Sequence, residues 1–461
     1  MAYGEAIAAI STPSGKGGVA IIRISGDEAV SIASSVFHPK NKKSLSDSTP
    51  RMQVYGDIIK DGEYIDDGMA TVFRAPASYT GEDTVEISCH GGILVTRCVL
   101  EALFGSGAVP AEAGEFTKRA FINGKISLTE AESVGALLEA RSKEQIKLTS
   151  GASRCRLADS IKEIRVALVD LLSSIFARID YPDEDLGDFD DEESLRRLYS
   201  IKKSIDTLKS TYPTGKAISE GIKTVIAGKT NVGKSTLYNA ILGEDAAIVT
   251  DIDGTTRDVL TATAPLGKVM LNLSDTAGVR NASDTVEKIG IERSKRKIEE
   301  AELIIAVFDL SREADHEDLD LIDLIKAVDA PKIAIFNKSD LEPRFDLGIC
   351  DGVFSKSITT SAKTLATDAV RELSDAVSAL FTDEKIDTGR DAVIYSARQN
   401  ASLDRAGSFV NAAILAFESG VYSDAAASEI ERALGAIAEI DGKAVSEEVV
   451  GDIFSKFCVG K

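Results

Sequence analysis

Gly228-Lys-Thr-Asn-Val-Gly-Lys-Ser235 decides the fold of the middle of this chain. The stretch fits G-x-x-x-x-G-K-[ST], directly after an apolar β-like run from Ile222 to Ala227 and before the helix-like Thr236 to Leu242. Glycines in that pattern let a loop curl around a β-phosphate with its backbone N–H groups turned inward, and the helix that follows adds the positive end of its dipole. Lys234 then reaches the β- and γ-phosphates, and Ser235 ligates Mg²⁺. Outward from the loop, apolar runs at Val269 to Ser274, Leu303 to Asp309, Lys332 to Phe336 and Ser357 to Thr360 alternate with helical stretches as far as about Thr382. That alternation is the pattern of βαβ units around a mostly parallel sheet.

Three further elements follow in order. Asp275-Thr276-Ala277-Gly278 comes after the next strand, where an aspartate holds Mg²⁺ through water and a glycine backbone approaches the γ-phosphate. Asn337-Lys338-Ser339-Asp340 caps the fourth strand, and its carboxylate suits the N1–H and N2–H₂ edge of guanine. Adenine has no such donor pair and would leave a buried carboxylate unpaired. Ser361-Ala362-Lys363 ends the fifth strand, where backbone amides meet the guanine oxygen. Between the phosphate loop and Asp275 lies Thr250-Asp251-Ile252-Asp253-Gly254-Thr255-Thr256-Arg257-Asp258, the place of a mobile switch whose threonine ligates Mg²⁺. Thr256 is the chosen ligand and Thr255 its rival. The expected GTP contacts are therefore Asn231, Val232, Gly233, Lys234, Ser235 and Thr236, Thr250 to Thr256 of the switch, Asp275 to Gly278, Asn337, Lys338, Asp340 and Ser361 to Lys363. Val279 follows Gly278 and cannot orient water by hydrogen bonding, so hydrolysis needs another group.

At 461 residues the chain exceeds what one core organises, which predicts two to four domains. Its net charge of −21 has the wrong sign for a surface that grips phosphate backbones all over, so any nucleic-acid contact is a local patch or belongs to a partner. Apolar runs such as Leu303 to Phe308 fall far short of the roughly 18 residues of a membrane span. The N-terminus carries neither a basic leader nor an apolar core, which points to a cytoplasmic address. Five scattered cysteines without a C-x-x-C pair and three histidines argue against a disulfide framework or a zinc finger.

Residues 1–120 alternate β-like runs (Val19 to Ile24, Asp66 to Phe73, Thr84 to Ser88) with glycine turns, an α+β texture. Helical spacing begins at Leu128, with Thr129 and Glu132 as the expected capping box, and continues from Ser153 to Ile179 and from Glu192 to Leu208. Tyr212-Pro-Thr-Gly215 reads as a turn, and the acidic run Asp183 to Glu193 as an exposed connector. After Asp391 the chain is helical again, with Gly442 a stop and Ser446 the next N-cap. The expected architecture is an α+β domain (1–120), an α-helical domain in two pieces (121–216 and 384–461), and an inserted α/β P-loop GTPase domain (217–383).

The guanine elements, Gly254-Thr-Thr-Arg-Asp258, the terminal Phe457-Cys-Val-Gly-Lys461 and the early Gly15-Lys-Gly-Gly-Val-Ala-Ile-Ile-Arg23 together resemble the MnmE (TrmE) family of tRNA uridine-modification GTPases. Tyr79-Thr-Gly-Glu-Asp83, His90-Gly-Gly92 and Gly114-Glu-Phe-Thr-Lys-Arg-Ala-Phe121 extend the likeness over essentially the whole chain, although Thr230 stands where the family usually has proline. The resemblance implies a homodimer that binds 5-formyl-tetrahydrofolate or a related reduced folate through its N-terminal domain. It further implies a flavoprotein partner, MnmG, in a heterotetramer that adds an aminomethyl or carboxymethylaminomethyl group at C5 of the wobble uridine, U34, of tRNA. Family position assigns Arg23, Glu86, Lys125 and Lys461 to folate, Glu287 to positioning the attacking water, and Cys458 to a candidate functional thiol. It also implies K⁺-dependent hydrolysis, the ion ligated by Asn231 and by oxygens of Thr250, Ile252 and Thr255.

Plainer readings stand beside these. Arg23 and Lys125 suit surface salt bridges, Lys461 a solvated end, and Cys458 a hydrophobic anchor. Asp284 rivals Glu287, and Arg257 could be an arginine finger in place of K⁺. His90 reads as hydrogen-bonded structure, and Cys89, Cys98, Cys155 and Cys350 as small buried residues. The competing function is an RNA-binding ribosome-assembly GTPase switch, which calls for a basic RNA-reading module that the last 70 or so residues lack.

Overall fold

The computed structural model describes residues 4–180, 191–243, 261–275, 295–361, 364, 368–419 and 423–461. They form two compact units, one built from the chain up to Leu138 together with Glu431–Lys461, the other from Glu139–Ile430.

The first unit is α+β, as its texture predicts. Its elements are β1 (Ile7–Ile10), β2 (Val19–Ser25), α1 (Ala29–Val36), β3 (Phe37–Pro39), β4 (Gln53–Lys60), β5 (Glu63–Phe73), β6 (Thr84–His90), α2 (Ile93–Gly105), β7 (Val109–Pro110), α3 (Glu115–Ile122) and α4 (Leu128–Glu139). The sheet runs β3-β4-β5-β6-β2-β1-β7, antiparallel except for β1 with β7. Along β2 the side chains alternate: Ala20, Ile22 and Ile24 are buried, while Ile21 and Arg23 are only half-buried. The buried set packs against Val85 and Ile87 of β6 and against Val30, Ala33, Val99 and Leu103 from α1 and α2. The other face leaves Arg23 directly opposite Glu86.

The capping box of α4 lies two residues earlier than expected. The Glu130 N–H donates to Ser127 Oγ at 3.2 Å, and the Ser127 N–H donates to the Glu130 carboxylate at 2.8 Å. Ser127-x-x-Glu130 and Thr129-x-x-Glu132 both satisfy the pattern. The earlier pair wins because Thr129 is buried, and its hydroxyl donates to the Ile440 carbonyl at 3.0 Å.

In the second unit, α5 (Lys143–Leu148), α6 (Gly151–Asp180), α7 (Asp191–Ser210) and α8 (Tyr212–Ser219) precede an α/β block. The buried stripe of α6 is Leu157, Ile161, Ile164, Leu168, Leu171 and Ile175, recurring every three or four residues. Cys155 falls off that stripe and is exposed, and Cys98 on α2 is only half-buried; Cys89 and Cys350 alone of the four are buried. Burial pushes the thiols of Cys89 and Cys350 up to about 11. Tyr212-Pro-Thr-Gly215 opens α8 instead of forming a turn. Proline in a first turn forfeits no hydrogen bond, and Gly215 lets the helix press on the Ile394 carbonyl, 2.0 Å from where a Cβ would lie.

The block consists of β8 (Ile222–Ala227), α9 (Lys234–Leu242), β9 (Thr261–Leu266), β10 (Val269–Asp275), β11 (Leu303–Asp309), α10 (His316–Lys326), β12 (Lys332–Asn337), β13 (Lys356–Thr359) and α11 (Val370–Phe381). Strand order is β13-β12-β11-β8-β10-β9, parallel except for the edge strand β9. Every residue of β11 is buried, as a strand covered on both faces requires. After the block, α12 (Ala397–Glu418) packs along α7, with Gly407 beside Ile205, so helices from both sides of the insertion meet.

From Glu431 onward α13 (Ser423–Asp441) belongs to the first unit, as does α14 (Glu447–Ser455). Gly442, at φ +85°, follows α13, and the Ser446 hydroxyl accepts from the Val449 N–H, as expected of a stop and an N-cap. No helix among the described residues is long and apolar enough to cross a membrane.

Candidate functional sites

Strand β8 lies inside the sheet and delivers the loop Gly228–Gly233 at its carboxyl end, where ligands bind in open α/β sheets. Two glycines there have no substitute. Gly228 (φ +146°) lies 2.4 Å, measured from a built Cβ, from the Val307 carbonyl; Gly233 (φ +111°) lies 2.1 Å from Asn337 Nδ2. Val232 is buried and pins the loop, while Asn231, Ser235 and Thr236 are exposed around it. Asn231 takes φ +63°, a left-handed conformation that asparagine tolerates better than most residues. Lys234 is half-buried and donates to the Lys229 carbonyl. Lys229 itself is held by Asp315 at 2.5 Å and Glu317 at 3.1 Å, and the bond to Asp315 raises its pKa.

The guanine-reading segment is fastened to that loop. The Asn337 Nδ2 amide donates to the Val232 carbonyl at 2.8 Å, both groups buried, and Asn337 Oδ1 is buried with no hydrogen-bond partner among the described residues. Lys338, at φ +66°, pairs with Asp309 at the end of β11. Burial disfavours the Asp309 carboxylate, but Lys338 and the Ser311 hydroxyl and N–H outweigh it and hold the pKa below the usual range. The Ser339 N–H donates to the Thr360 carbonyl at 2.9 Å, joining this turn to the buried Ser361, while Asp340 stands exposed. Asp275 ends β10 in register with Ile226 of β8.

The structure thus brings Asn231 to Thr236, Asn337 to Asp340, Ser361 and the backbone of Asp275 to one edge of one sheet. The glycine cradle, the exposed Ser235 and the exposed Asp340 carboxylate fit a guanine nucleotide with Mg²⁺. Asn231 offers the neutral oxygen that K⁺ accepts. Thr250, Asp251, Ile252, Asp253, Gly254, Thr255, Thr256, Arg257, Thr276, Ala277, Gly278, Val279, Asp284, Glu287, Ala362 and Lys363 lie outside the described residues.

A second constellation sits in the first unit. Arg23 and Glu86 pair with each other, Nη2 to Oε1 at 2.7 Å and Nε to Oε1 at 2.9 Å, both side chains partly covered. The Arg23 guanidinium lies 5.6 Å from the ring centres of Tyr79 and Phe116. The Phe116 N–H donates to the Lys461 carbonyl at 3.1 Å, and the Ser11 hydroxyl to Gly460 at 3.0 Å, so the terminal residues lie along α3 and the end of β1. Lys125 is exposed and donates to the Pro76 carbonyl at 2.9 Å; its stem lies against Gly81. Cys458 is exposed. Tyr79 and Phe116 were recognisable only as parts of longer matching stretches. Their ring contacts with Arg23 carry no sequence signature of their own.

His90 is hydrogen-bonded structure: its N–H and Nδ1 each lie 2.8 Å from the Asp66 carboxylate. That bond raises the imidazole pKa. Neighbouring Asp67 accepts from Tyr55 and Tyr64, which pushes the Tyr64 phenol up to about 12.

A phosphate loop and a guanine turn on the carboxyl edge of a mostly parallel sheet, carried between helical segments, define a multidomain P-loop GTPase. Residues 6–125 match the family model described as GTP-binding protein TrmE N-terminus, and residues 128–458 match the MnmE helical domain. This chain belongs to the MnmE family of tRNA modification GTPases. The tRNA modification GTPase MnmE of Clostridioides difficile (strain 630) is 35% identical over 457 residues, 99% of either chain. That of Bacillus pumilus (strain SAFR-032) is 38% identical over 461 residues, 99% of this chain and 100% of the relative. Among solved structures, a tyrosine-to-alanine variant of Aquifex aeolicus Era bound to GDP.AlF4- is 22% identical, with a TM-score of 0.27 over 41% of this chain and 66% of that one.

Proposed function

We propose that this chain hydrolyses GTP to drive modification of the wobble uridine of tRNA at C5, working in the cytoplasm as a homodimer with a flavoprotein partner of the MnmG type. The bond from Asn337 to Val232 carries the nucleotide half of this reading, because it sets the guanine turn and the phosphate loop in one frame. Within that frame Lys234 meets the β- and γ-phosphates, Ser235 and Thr256 hold Mg²⁺, and Asp340 reads the guanine edge. Asn231 with Thr250, Ile252 and Thr255 holds K⁺, and Glu287 positions water in place of the missing glutamine.

In the first unit Arg23, Glu86, Lys125 and Lys461 hold a reduced folate such as 5-formyl-tetrahydrofolate, which supplies a one-carbon unit when bound. The Arg23–Glu86 pair supports this, since the Glu86 carboxylate, set directly beside Arg23, suits the amine and amide edge of a pterin. The domain limits that go with this reading are 1–120 for folate and dimerisation, 121–216 and 384–461 for the helical domain, and 217–383 for the GTPase. Calorimetry with the full chain tests the folate half: 5-formyl-tetrahydrofolate binds the wild type, and Arg23→Ala loses it while hydrolysing GTP normally. In a reconstituted assay with partner and tRNA, Cys458→Ser abolishes modification and spares GTP hydrolysis. Unchanged modification would make Cys458 an anchor only.

A further inference from the structure

The most deeply buried charge of the first unit is Arg119 on α3, whose side chain is 2% exposed. Its Nε and Nη2 donate to Glu115 Oε1 at 3.2 and 2.9 Å, and its Nη1 donates to the Glu5 carbonyl at 3.0 Å and to Glu82 Oε2 at 3.2 Å. The two carboxylates are themselves engaged. Glu115 accepts the Glu112 N–H at 2.8 Å; Glu82 accepts the Ser25 hydroxyl at 2.8 Å, and Ser25 lies 2.7 Å from Thr80.

A buried cation between one buried carboxylate, Glu115, and one largely covered one, Glu82, is costly to assemble and costly to break, so its geometry is sharply fixed. The fork joins three pieces of chain that share no sequence neighbourhood: the segment before β1, the loop 79–83, and the first turn of α3. Those last two pieces carry Tyr79 and Phe116, whose ring centres each lie 5.6 Å from the Arg23 guanidinium, and the Tyr79 hydroxyl lies 3.0 Å from Thr117 on α3. Phe116 also seats the terminal Lys461.

We infer that Arg119 is the positioning residue of the folate site: it touches no ligand, and it sets the separation of Tyr79 and Phe116 that aims Arg23. This inference rests on the reading of that site as a folate site. Lysine cannot replace it, because one ammonium on a flexible stem cannot span both carboxylates and the Glu5 carbonyl in a fork.

The test uses the full chain with Arg119→Lys and, as a milder cut that keeps the packing, Glu82→Gln. Both are measured by calorimetry with 5-formyl-tetrahydrofolate, by amide hydrogen exchange and by GTP turnover. Expected are faster exchange confined to residues 78–86 and 114–118, folate affinity weaker by about tenfold or more, as for a lost charge-assisted contact, and unaltered GTP turnover. Should Arg119→Lys fail to fold, Glu82→Gln decides alone. Exchange and folate affinity at wild-type values in the variants overturn the inference, as does faster exchange spread over the whole unit, which would mark Arg119 as merely structural. Failure of the wild type to bind folate would instead refute the folate reading, and with it the folate role of Arg119.

Discussion

Asn337 donates one side-chain N–H to the carbonyl of Val232 at 2.8 Å, closing 105 residues of sequence into a single contact between the guanine turn and the phosphate loop. Gly233 is the third party to it. A methyl group there would sit 2.1 Å from the Asn337 nitrogen on a backbone at φ +111°. Gly233→Ala must therefore shift Asn337 as well as strain the loop, at a cost of the order of 1–3 kcal/mol for the backbone alone. We expect nucleotide affinity to fall by tenfold or more, read with a fluorescent GTP analogue, alongside a lower melting temperature. Wild-type affinity would show that the loop yields at no cost.

Asp340 stands exposed at the end of the turn that Asn337 begins, free to meet a base edge. A carboxylate accepts from N1–H and N2–H₂ of guanine, whereas an amide presents a donor that suits the C2 carbonyl of xanthine. Asp340→Asn should exchange the preference from GTP to xanthosine triphosphate, by the order of 10² or more when buried polar groups are left unpaired. Competition between the two nucleotides measures it directly. Retained preference for GTP would remove Asp340 from base recognition.

How much of this was legible depended on how local the cause was. Leu303–Asp309 is a strand over the expected range because a continuous apolar run from Leu303 to Phe308 bounded by Glu302 and Asp309 leaves few alternatives, and Ile222–Ala227 is one because its β-branched, mostly apolar residues are bounded by Gly221 and Gly228. Tyr212-Pro-Thr-Gly215 misled because proline serves a turn and a first helical turn equally well, and only the contact of Gly215 with Ile394 separates them. Ser127 rather than Thr129 caps α4 because Thr129 has a partner 311 residues away, which no window of sequence reveals. In the candidate sites the phosphate loop could be read from spacing. The pairing of Arg23 with Glu86 could not, since it depends on the register of β2 against β6.

His90 and Asp66 supply a test by pH. The hydrogen bond to Asp66, and then its charge, raise the imidazole pKa above 6.5. A folded value raised above the unfolded one means that the stabilisation is complete below about pH 6.5 and is lost as pH climbs through the raised value. The ring is largely exposed, so the effect is small. His90→Gln should lower the melting temperature at about pH 6 and make no difference well above the raised pKa. An equal loss at both pH values would show that His90 acts through packing alone.

Potassium gives the strongest discrimination of mechanism. Negative charge that develops between the β- and γ-phosphates needs a cation, and an arginine finger elsewhere supplies a factor of about 10³ to 10⁵ in rate. Asn231 is exposed on the phosphate loop in a left-handed conformation, with a neutral amide oxygen to offer. K⁺ tolerates several such oxygens at long distance, while Na⁺ is smaller and fits the same loop poorly. Replacing K⁺ by Na⁺ at constant ionic strength should slow hydrolysis and prevent pairing of two GTPase domains, read by turnover and by light scattering. Asn231→Ala should lose K⁺ stimulation, with turnover falling further than GTP affinity, since the amide serves the ion while the strain of alanine at φ +63° bears on the loop that binds nucleotide. Arg257→Ala should keep K⁺ stimulation. If turnover proves indifferent to the monovalent cation and Arg257→Ala abolishes it, the arginine is the finger and Asn231 only shapes the loop.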